Sequence, residues 1–391
     1  CYYMKKTLII TLEFPPQVGG IATYVEQQAS HLDLTKTIIL APKNIQAKEW
    51  DKQQKYKIHR KKFFWFLWPR WFRLLWQVFW LCRKEKIEMI LVHHVLPVGY
   101  IAVIMKKLKK IPFIVFSHGT DIVYATRSKH KIRLLKKVIQ KSEKVFFNSQ
   151  SLRNRFLRVI PELESKTDII YPCPDENFLI APDKNDLDLL RAKLALEGKK
   201  VMLTVSRIDE GKGVTHITRL LPDILKKEPN LVWVLIGDGP KRPLIIKEIQ
   251  KHNLQNVVRY LGFIPHDQLK NYYYLADIFV LLCHPDEGRE EGLGLVFLES
   301  AACGIPAVAG RSGGVEEAVV HTQTGLVVDV YQQMTVVSAI TELLANNDYR
   351  QKLGIHAQER IKANFNWANQ LSKLDEFLNL SEINNQIDLK F

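Results

Sequence analysis

Apolar positions along the chain fall into two kinds of run. Short stretches of aliphatic and β-branched residues without polar interruption occur at 6–12 (KTLIITL), Met89–His93, Pro112–Phe116, Val201–Val205, Leu231–Ile236 and Asp277–Leu282. Their length and composition are those of strands buried on both faces. Between them, apolar residues three and four apart predict helices over Ala22–Leu32, Pro97–Lys109, Lys129–Lys141, Val214–Lys227 and Leu295–Cys303. Thr37–Leu40, Tyr56–His59, Val145–Asn148 and Val257–Leu261 read as further strands. Strands alternating with helices predict parallel sheets wound on both faces, an α/β architecture. The alternation breaks at Tyr171–Pro182 (YPCPDENFLIAP), which reads as a linker, and then restarts. The chain is therefore expected to hold two successive doubly wound, Rossmann-like domains, 1–175 and 176–365. Beyond Asp329 come helical patterns at Thr335–Ala345, Asp348–Ala363 and Trp367–Leu378, the last amphipathic, and Ser381–Phe391 reads as a loose tail.

Composition narrows the class. At 391 residues, 47% hydrophobic and 25% charged, the chain can bury a large core. Its five cysteines include no CxxC pair, so neither a disulfide framework nor a zinc ribbon is indicated, and a reducing compartment fits. Met4-Lys5-Lys6 resembles a true start, and the run after it is too short for a signal peptide before Glu13 intervenes. A cytoplasmic location is expected. Net charge is +15, but residues 1–170 carry 32 basic against 12 acidic residues, while 171–391 carry 24 against 29. The basic half calls for an anionic partner, a membrane or a nucleic acid, unless its lysines are simply solvated.

Residues 63–82 (FFWFLWPRWFRLLWQVFWLC) are long enough to span a bilayer, but Pro69, Arg70, Arg73 and Gln77 interrupt them. On a wheel from Pro69, Trp71, Leu75, Val78, Phe79 and Cys82 share one side. Arg70, Arg73, Gln77 and Lys84 share the other, with Trp80 among them and Trp76 at the edge. Tryptophan beside arginine on an outward face suits the peripheral, headgroup zone of a membrane, here its inner face. Covering of both indoles by His59–Trp68 is the competing reading.

Candidate chemistry sits in the loops that follow strands. Gly19-Gly20 in EFPPQVGGI lets a backbone approach a phosphate, and His118 in Ser117-His118-Gly119-Thr120-Asp121 stands at a strand end. Arg207 and Lys212 frame the turn after Val201–Val205, where they read equally as a cradle for a diphosphate or as ordinary loop charge. Gly237-Asp238-Gly239-Pro240 and Gly262-Phe263-Ile264-Pro265 follow the next two strands. Glu291 lies in a charged loop, with Gly292, Leu293 and Gly294 leading into a helix from Leu295 whose free N–H groups attract anions. Glu299 lies inside that helix, at a different depth. Taken alone, two glutamates flanking a helix start are more often solvated caps than catalytic groups.

The whole pattern, E-x7-E with Ala302–Ala309 and Ser312-Gly313-Gly314 behind it, resembles retaining family-4 glycosyltransferases of the GT-B architecture. In that architecture two Rossmann-like domains face each other across a cleft, and a last helix (about 366–391 here) packs back on the N-terminal, acceptor-side domain. The resemblance implies that Glu291 binds sugar hydroxyls of a nucleotide-sugar donor and Glu299 its ribose. It places Gly19 and Gly20 over the donor diphosphate, neutralised by Arg207 and Lys212, and His118 beside the donor sugar. Asp238, Gly239, Phe263, Ile264 and the run Gly292–Leu295 complete the donor set, Phe263 and Ile264 as base contacts, while Asp121 meets the acceptor. No metal and no cofactor is implied.

EFPPQVGGI, SHG, the Arg207/Lys212 pair and EGLGLVFLE look most like mannosyltransferases acting on phosphatidylinositol glycolipids, which favours GDP-mannose and a lipid-linked or glycan acceptor. Glu287-Gly288-Arg289-Glu290 departs from that pattern and leaves room for a UDP-sugar with a soluble or polysaccharide-precursor acceptor. A glycoside hydrolase would need no diphosphate cradle. A sugar epimerase of the same architecture would release free nucleotide without a transfer product. A nucleic-acid- or membrane-binding protein without transferase activity is the reading from another class. Nucleic acid is not the expected partner, because the aromatics cluster on one helix and are not interleaved with basic residues along a sheet.

Overall fold

The computed structural model describes residues 4–17, 19–64, 70–119, 128–288 and 290–379. The chain divides into two compact units. The described residues up to Pro172 and those from Trp367 onward form one, and Cys173–Asn366 form the other. Each has its own hydrophobic core.

The first unit is built on a seven-stranded sheet in the order β3-β2-β1-β4-β5-β6-β7. Its strands are β1 (Thr7–Thr11), β2 (Thr37–Pro42), β3 (Lys57–Lys61), β4 (Met89–His93), β5 (Phe113–Ser117), β6 (Val145–Phe147) and β7 (Thr167–Ile169). The second unit holds six strands in the order β10-β9-β8-β11-β12-β13. These are β8 (Lys200–Val205), β9 (Leu231–Ile236), β10 (Val258–Gly262), β11 (Ile278–Leu281), β12 (Ala307–Gly310) and β13 (Gly325–Val328). Every pairing is parallel. Both are Rossmann-like α/β sheets whose strand order reverses at one point, between β1 and β4 in the first and between β8 and β11 in the second.

Burial explains why the strand runs lacked polar alternation. β1, β4, β5, β9 and β11 are buried at every position because helices cover both faces, whereas the edge strand β3 is partly open. The helices Gln150–Val159, Lys184–Lys193 and Arg242–Lys251 and the short strands β7, β12 and β13 escaped the sequence reading.

Two boundaries differ from expectation. The first helix runs Gly20–Ser30, so Gly20 opens the helix and Gly19 alone remains in the loop. The segment expected as one helix over Trp367–Leu378 is three short turns, Trp367–Leu371, Ser372–Leu374 and Asp375–Leu378. Its winding is set by tethers to the first unit, not by local propensity. Gln370 Oε1 accepts from Tyr171 N at 2.9 Å, Lys373 Nζ donates to Ile169 O at 2.6 Å, and Lys5 Nζ donates to Phe377 O at 2.7 Å. Among the described residues no helix is long and apolar enough to cross a membrane. The helix Phe72–Glu85 buries Leu74, Val78, Leu81 and Cys82, while Trp76 and Trp80 are 58% and 50% exposed.

In the second unit the helix Asn347–Asn364 crosses the end of Leu295–Ala302 so closely that a Cβ on Gly354 would stand 2.1 Å from Gly304 O. Gly354→Ala should therefore destabilise the protein by about 1–3 kcal/mol, the range for an overpacked core. Thermal unfolding checks this, and an unchanged midpoint would mean the helices can part without cost.

Candidate active site

Loops at the carboxyl ends of β8 and β11 meet at the strand-order reversal of the second sheet, where open α/β sheets leave a crevice. The loop after β8 carries Lys212 and the loop after β11 carries Glu291, and the Lys212 ammonium pairs with Glu291 Oε2. The side chains are 29% and 16% exposed. Burial alone would lower the Lys212 ammonium, but the Glu291 carboxylate outweighs it and holds that group above its usual range. Burial likewise pushes the Glu291 carboxyl up, and Lys212 more than reverses this, leaving it below the carboxylate range. Both groups are charged at neutral pH. The Cys283 Sγ, 3.5 Å from the same Oε2, is a third member that the sequence reading missed. Burial, and then Glu291, push its thiol up.

The loop bearing Glu291 is held from behind. Glu291 N donates to Ser312 Oγ at 3.2 Å, and Gly314 N donates to Glu291 O at 3.0 Å. This places the Ser312-Gly313-Gly314 turn as a brace under the loop. Leu293 is buried, and Gly294 (φ 88°) opens the helix Leu295–Ala302 without any side-chain cap.

Glu299 is 2% exposed, and both of its oxygens are engaged. His266 Nε2 lies 2.8 Å from Oε1, and the Tyr273 hydroxyl donates to Oε2 at 2.8 Å. Burial and then Glu299 hold the Tyr273 phenol well above its ordinary value, so it remains a donor. The sequence reading passed over both His266 and Tyr273. Their polar atoms close to a buried carboxylate could not be seen in the local pattern.

Other expected donor residues of this unit stand apart from the Lys212–Glu291 pair. Arg207 is 70% exposed at its side chain and pairs with Asp209 at 3.3 Å. Asp238 accepts from Gly239 N at 2.7 Å and faces Arg242 at 3.6 Å. Gly239 has a packing reason for being glycine, since a Cβ there would lie 2.4 Å from Ile208 O. Phe263 is 51% exposed beyond the end of β10, and Ile264 is half-buried.

In the first unit His118 follows β5, and His93 ends the neighbouring β4. His118 Nε2 lies 3.1 Å from His93 Nδ1, with His94 (ring centroids 6.1 Å apart) and Tyr24 (5.1 Å) around it. Burial, then His94, drive the His118 imidazolium down to about 3, so the ring is neutral. His93 is held well below the usual value by burial and its histidine neighbours. The His93-His94 doublet at a strand end was the available signal, the same one that singled out His118. Gly19 is extended at φ 161°, and the helix Gly20–Ser30 begins without a side-chain cap. Asp121 lies outside the described residues, as do Pro69 and Arg289. Among the described residues no three His, Cys, Asp or Glu side chains gather as a metal site.

The Glycosyltransferase Family 4 model matches residues 18–178, and the Glycosyl transferases group 1 model matches residues 187–360. The GDP-mannose-dependent alpha-(1-6)-phosphatidylinositol monomannoside mannosyltransferase of Mycolicibacterium smegmatis is 26% identical, over 95% of this chain and 97% of the relative. Its namesake from Mycobacterium tuberculosis H37Rv is 27% identical, over 96% and 98%. The Anabaena HepE structure in complex with UDP superposes with a TM-score of 0.80 at 18% identity, over 95% of this chain and 98% of that one. The first sheet thus carries the family 4 model and the second the group 1 model, and the chain belongs to the glycosyltransferases of GT-B architecture.

Proposed function

We propose that this glycosyltransferase moves a hexose, mannose from GDP-mannose, to a hydroxyl of a lipid-linked or glycan acceptor at a membrane surface, with retention at the anomeric carbon and without a metal ion. The observation that carries the reading is the Lys212–Glu291 pair at the strand-order reversal of the second sheet. The choice of donor rests on relatives named GDP-mannose-dependent that match nearly the whole chain. Transfer breaks the bond from the anomeric carbon to the terminal phosphate oxygen and forms one to the acceptor oxygen. The acceptor proton leaves on the departing diphosphate. Charge building on that diphosphate is met by Lys212, by Arg207 closing from its exposed position, and by the N–H groups of the Gly292–Leu295 turn, so preorganised cations take the task of a metal. Glu291 takes sugar hydroxyls, and Glu299 uses the lone pairs that His266 and Tyr273 leave to hold the ribose. Asp238, Gly239, Phe263 and Ile264 line the nucleotide side. In the first domain the same reading gives His118 a contact with the donor sugar, Gly19 and Gly20 one with its diphosphate, and Asp121 one with the acceptor.

The helix Phe72–Glu85 supports a peripheral place on the inner face of an anionic membrane. Its indoles Trp76 and Trp80 contact each other, with ring centroids 5.7 Å apart, and Arg70, Arg73 and Lys84 are exposed around them. Each basic residue near an anionic leaflet contributes about 1 kcal/mol, and interfacial tryptophans add anchoring.

Three outcomes test the reading. GDP at about 100 times its Kd should stabilise the protein by about 2.7 kcal/mol in a thermal-shift assay, and UDP should do less. Lys212→Ala should remove most of that ligand-induced shift. The unliganded midpoint is not a fair readout, because the substitution leaves Glu291 buried without its partner. Glu299→Gln should weaken GDP and GDP-mannose alike, whereas Glu291→Gln should weaken chiefly the sugar nucleotide. Equal losses of GDP affinity in the two glutamine variants would overturn the assignment.

The pH profile follows from the signs of the shifts. His118 sits far below its free value, so its neutral form prevails at every pH above about 3. Glu291 sits below the carboxylate range, so its pairing with Lys212 is lost only as pH falls through that depressed value. kcat/KM should therefore be flat between about pH 6 and 8. A limb near the ordinary histidine value would show that a histidine titrates in the free enzyme.

Replacing both Trp76 and Trp80 by Ser should move the protein off anionic vesicles in a sedimentation assay and reduce transfer to lipid acceptors, with GDP binding intact. Wild-type sedimentation of the double variant would place the membrane contact elsewhere.

A further inference from the structure

His118 is bound on one side by a group to which the proposed chemistry gives no role. Its Nε2 meets His93 Nδ1 at 3.1 Å, with the two rings inclined by 13° and their centroids 5.4 Å apart. His93 is fully buried. Its ring lies flat on Phe116, with centroids 4.6 Å apart and planes 8° apart, and the edge of Tyr24 closes it at 5.9 Å. This packing fixes the orientation of the His93 ring.

One proton is shared between the two facing nitrogens, so one ring donates and the other accepts. The remaining nitrogen of His93, Nε2, is buried with no hydrogen-bond partner among the described residues. If the proton sat there, an N–H would be buried without an acceptor and would bear its full desolvation cost, and such orphaned donors are rare in folded proteins. The proton of His93 therefore belongs on Nδ1, donated to His118 Nε2. A neutral imidazole that accepts at Nε2 must carry its own proton on Nδ1. His118 makes its hydrogen bond through Nε2, and its Nδ1 has no partner among the described residues.

We propose that His93 is a positioning residue that locks His118 as the neutral tautomer protonated on Nδ1, so that His118 offers a hydrogen-bond donor to a substrate oxygen and does not act as a base. The substrate oxygen is a hydroxyl of the donor sugar, and this part rests on the active-site role proposed for His118. A neutral donor can orient a hydroxyl without removing its proton, which fits a transfer whose acceptor proton leaves on the diphosphate.

The test reads the tautomer and the rate separately. Long-range proton–nitrogen NMR of histidine-labelled protein, assigned with His118→Gln, should show His118 protonated on Nδ1 alone. His93→Phe keeps an aromatic ring against Phe116 but loses the N–H. The Nε2-protonated form of His118 should then appear, and kcat should fall about tenfold, the rate equivalent of one hydrogen bond, with the GDP-induced thermal shift unchanged. His93→Asn presents an amide N–H near the place of Nδ1 and should restore both the tautomer and most of kcat. If His93→Phe fails to fold, the wild-type spectrum and the asparagine variant decide. Wild-type His118 protonated on Nε2 would overturn the lock, as would an unaltered tautomer in His93→Phe, and an altered tautomer there at unchanged kcat would overturn its catalytic use. Unchanged kcat in His118→Gln alongside an Nδ1-protonated wild type would instead overturn the active-site role of His118, and with it the catalytic use of the lock.

Discussion

A parallel sheet cannot return its chain by a hairpin, so every strand must be followed by a crossover that runs back along one face. All the carboxyl ends then lie on one edge, and where the winding reverses, two neighbouring loops part in opposite directions. The placement of chemistry in this protein depends on that constraint. Lys212 and Glu291 are 79 positions apart in the chain, yet they pair because β8 and β11 are neighbours across the reversal. His93 and His118 are 25 apart and meet because β4 and β5 run side by side with their ends level. His93, His118, Lys212 and Glu291, whose protonation equilibria are shifted by burial and by close partners, sit on these edges, where a residue with a specific charge partner is a candidate for function.

The Lys212–Glu291 pair shows how the charge is held ready. Two ions taken out of water gain little net stability from each other, and removing one leaves the other buried and costs several kcal/mol. The pair therefore makes a poor structural fastening, and its ammonium is held oriented and partly withdrawn from water, as the proposed hold on a diphosphate requires. Glu299 is treated differently. It is nearly inaccessible and satisfied by His266 and Tyr273, so its position is fixed by hydrogen bonds from two segments of the same domain. One carboxylate is thus held against an ammonium and the other by an imidazole and a phenol hydroxyl.

Charge is divided between the units as well. The basic excess lies within residues 1–170, where the exposed Trp76 and Trp80 share a helix with arginines, while the chain from 171 onward is mildly acidic. In a mildly acidic unit, positive charge such as Lys212 attracts anions only locally. A domain that is basic overall attracts anionic surfaces from further away.

Much of this organisation could be read in order along the chain. The unbroken apolar runs, the break at Tyr171–Pro182 and the restart from Val201 specify two parallel α/β sheets, because strands buried on both faces admit no polar alternation. The motif residues Lys212, Glu291, Glu299 and His118 could be located because each follows or borders such a run. Partners contributed from elsewhere in the chain could not. His266 and Tyr273 act on Glu299 from separate elements and nothing local to them announces it, while Cys283 and His93 stand at strand ends whose local pattern does not name the partner. The turns of Trp367–Leu378 were read as one helix because periodicity records only which face is apolar, whereas their winding follows from hydrogen bonds to Tyr171, Ile169 and Lys5. Hydrophobic pattern is a property of neighbours in sequence, and so it carries the fold. Protonation state and hydrogen-bond direction depend on neighbours in space, and they exist only once the sheets have formed.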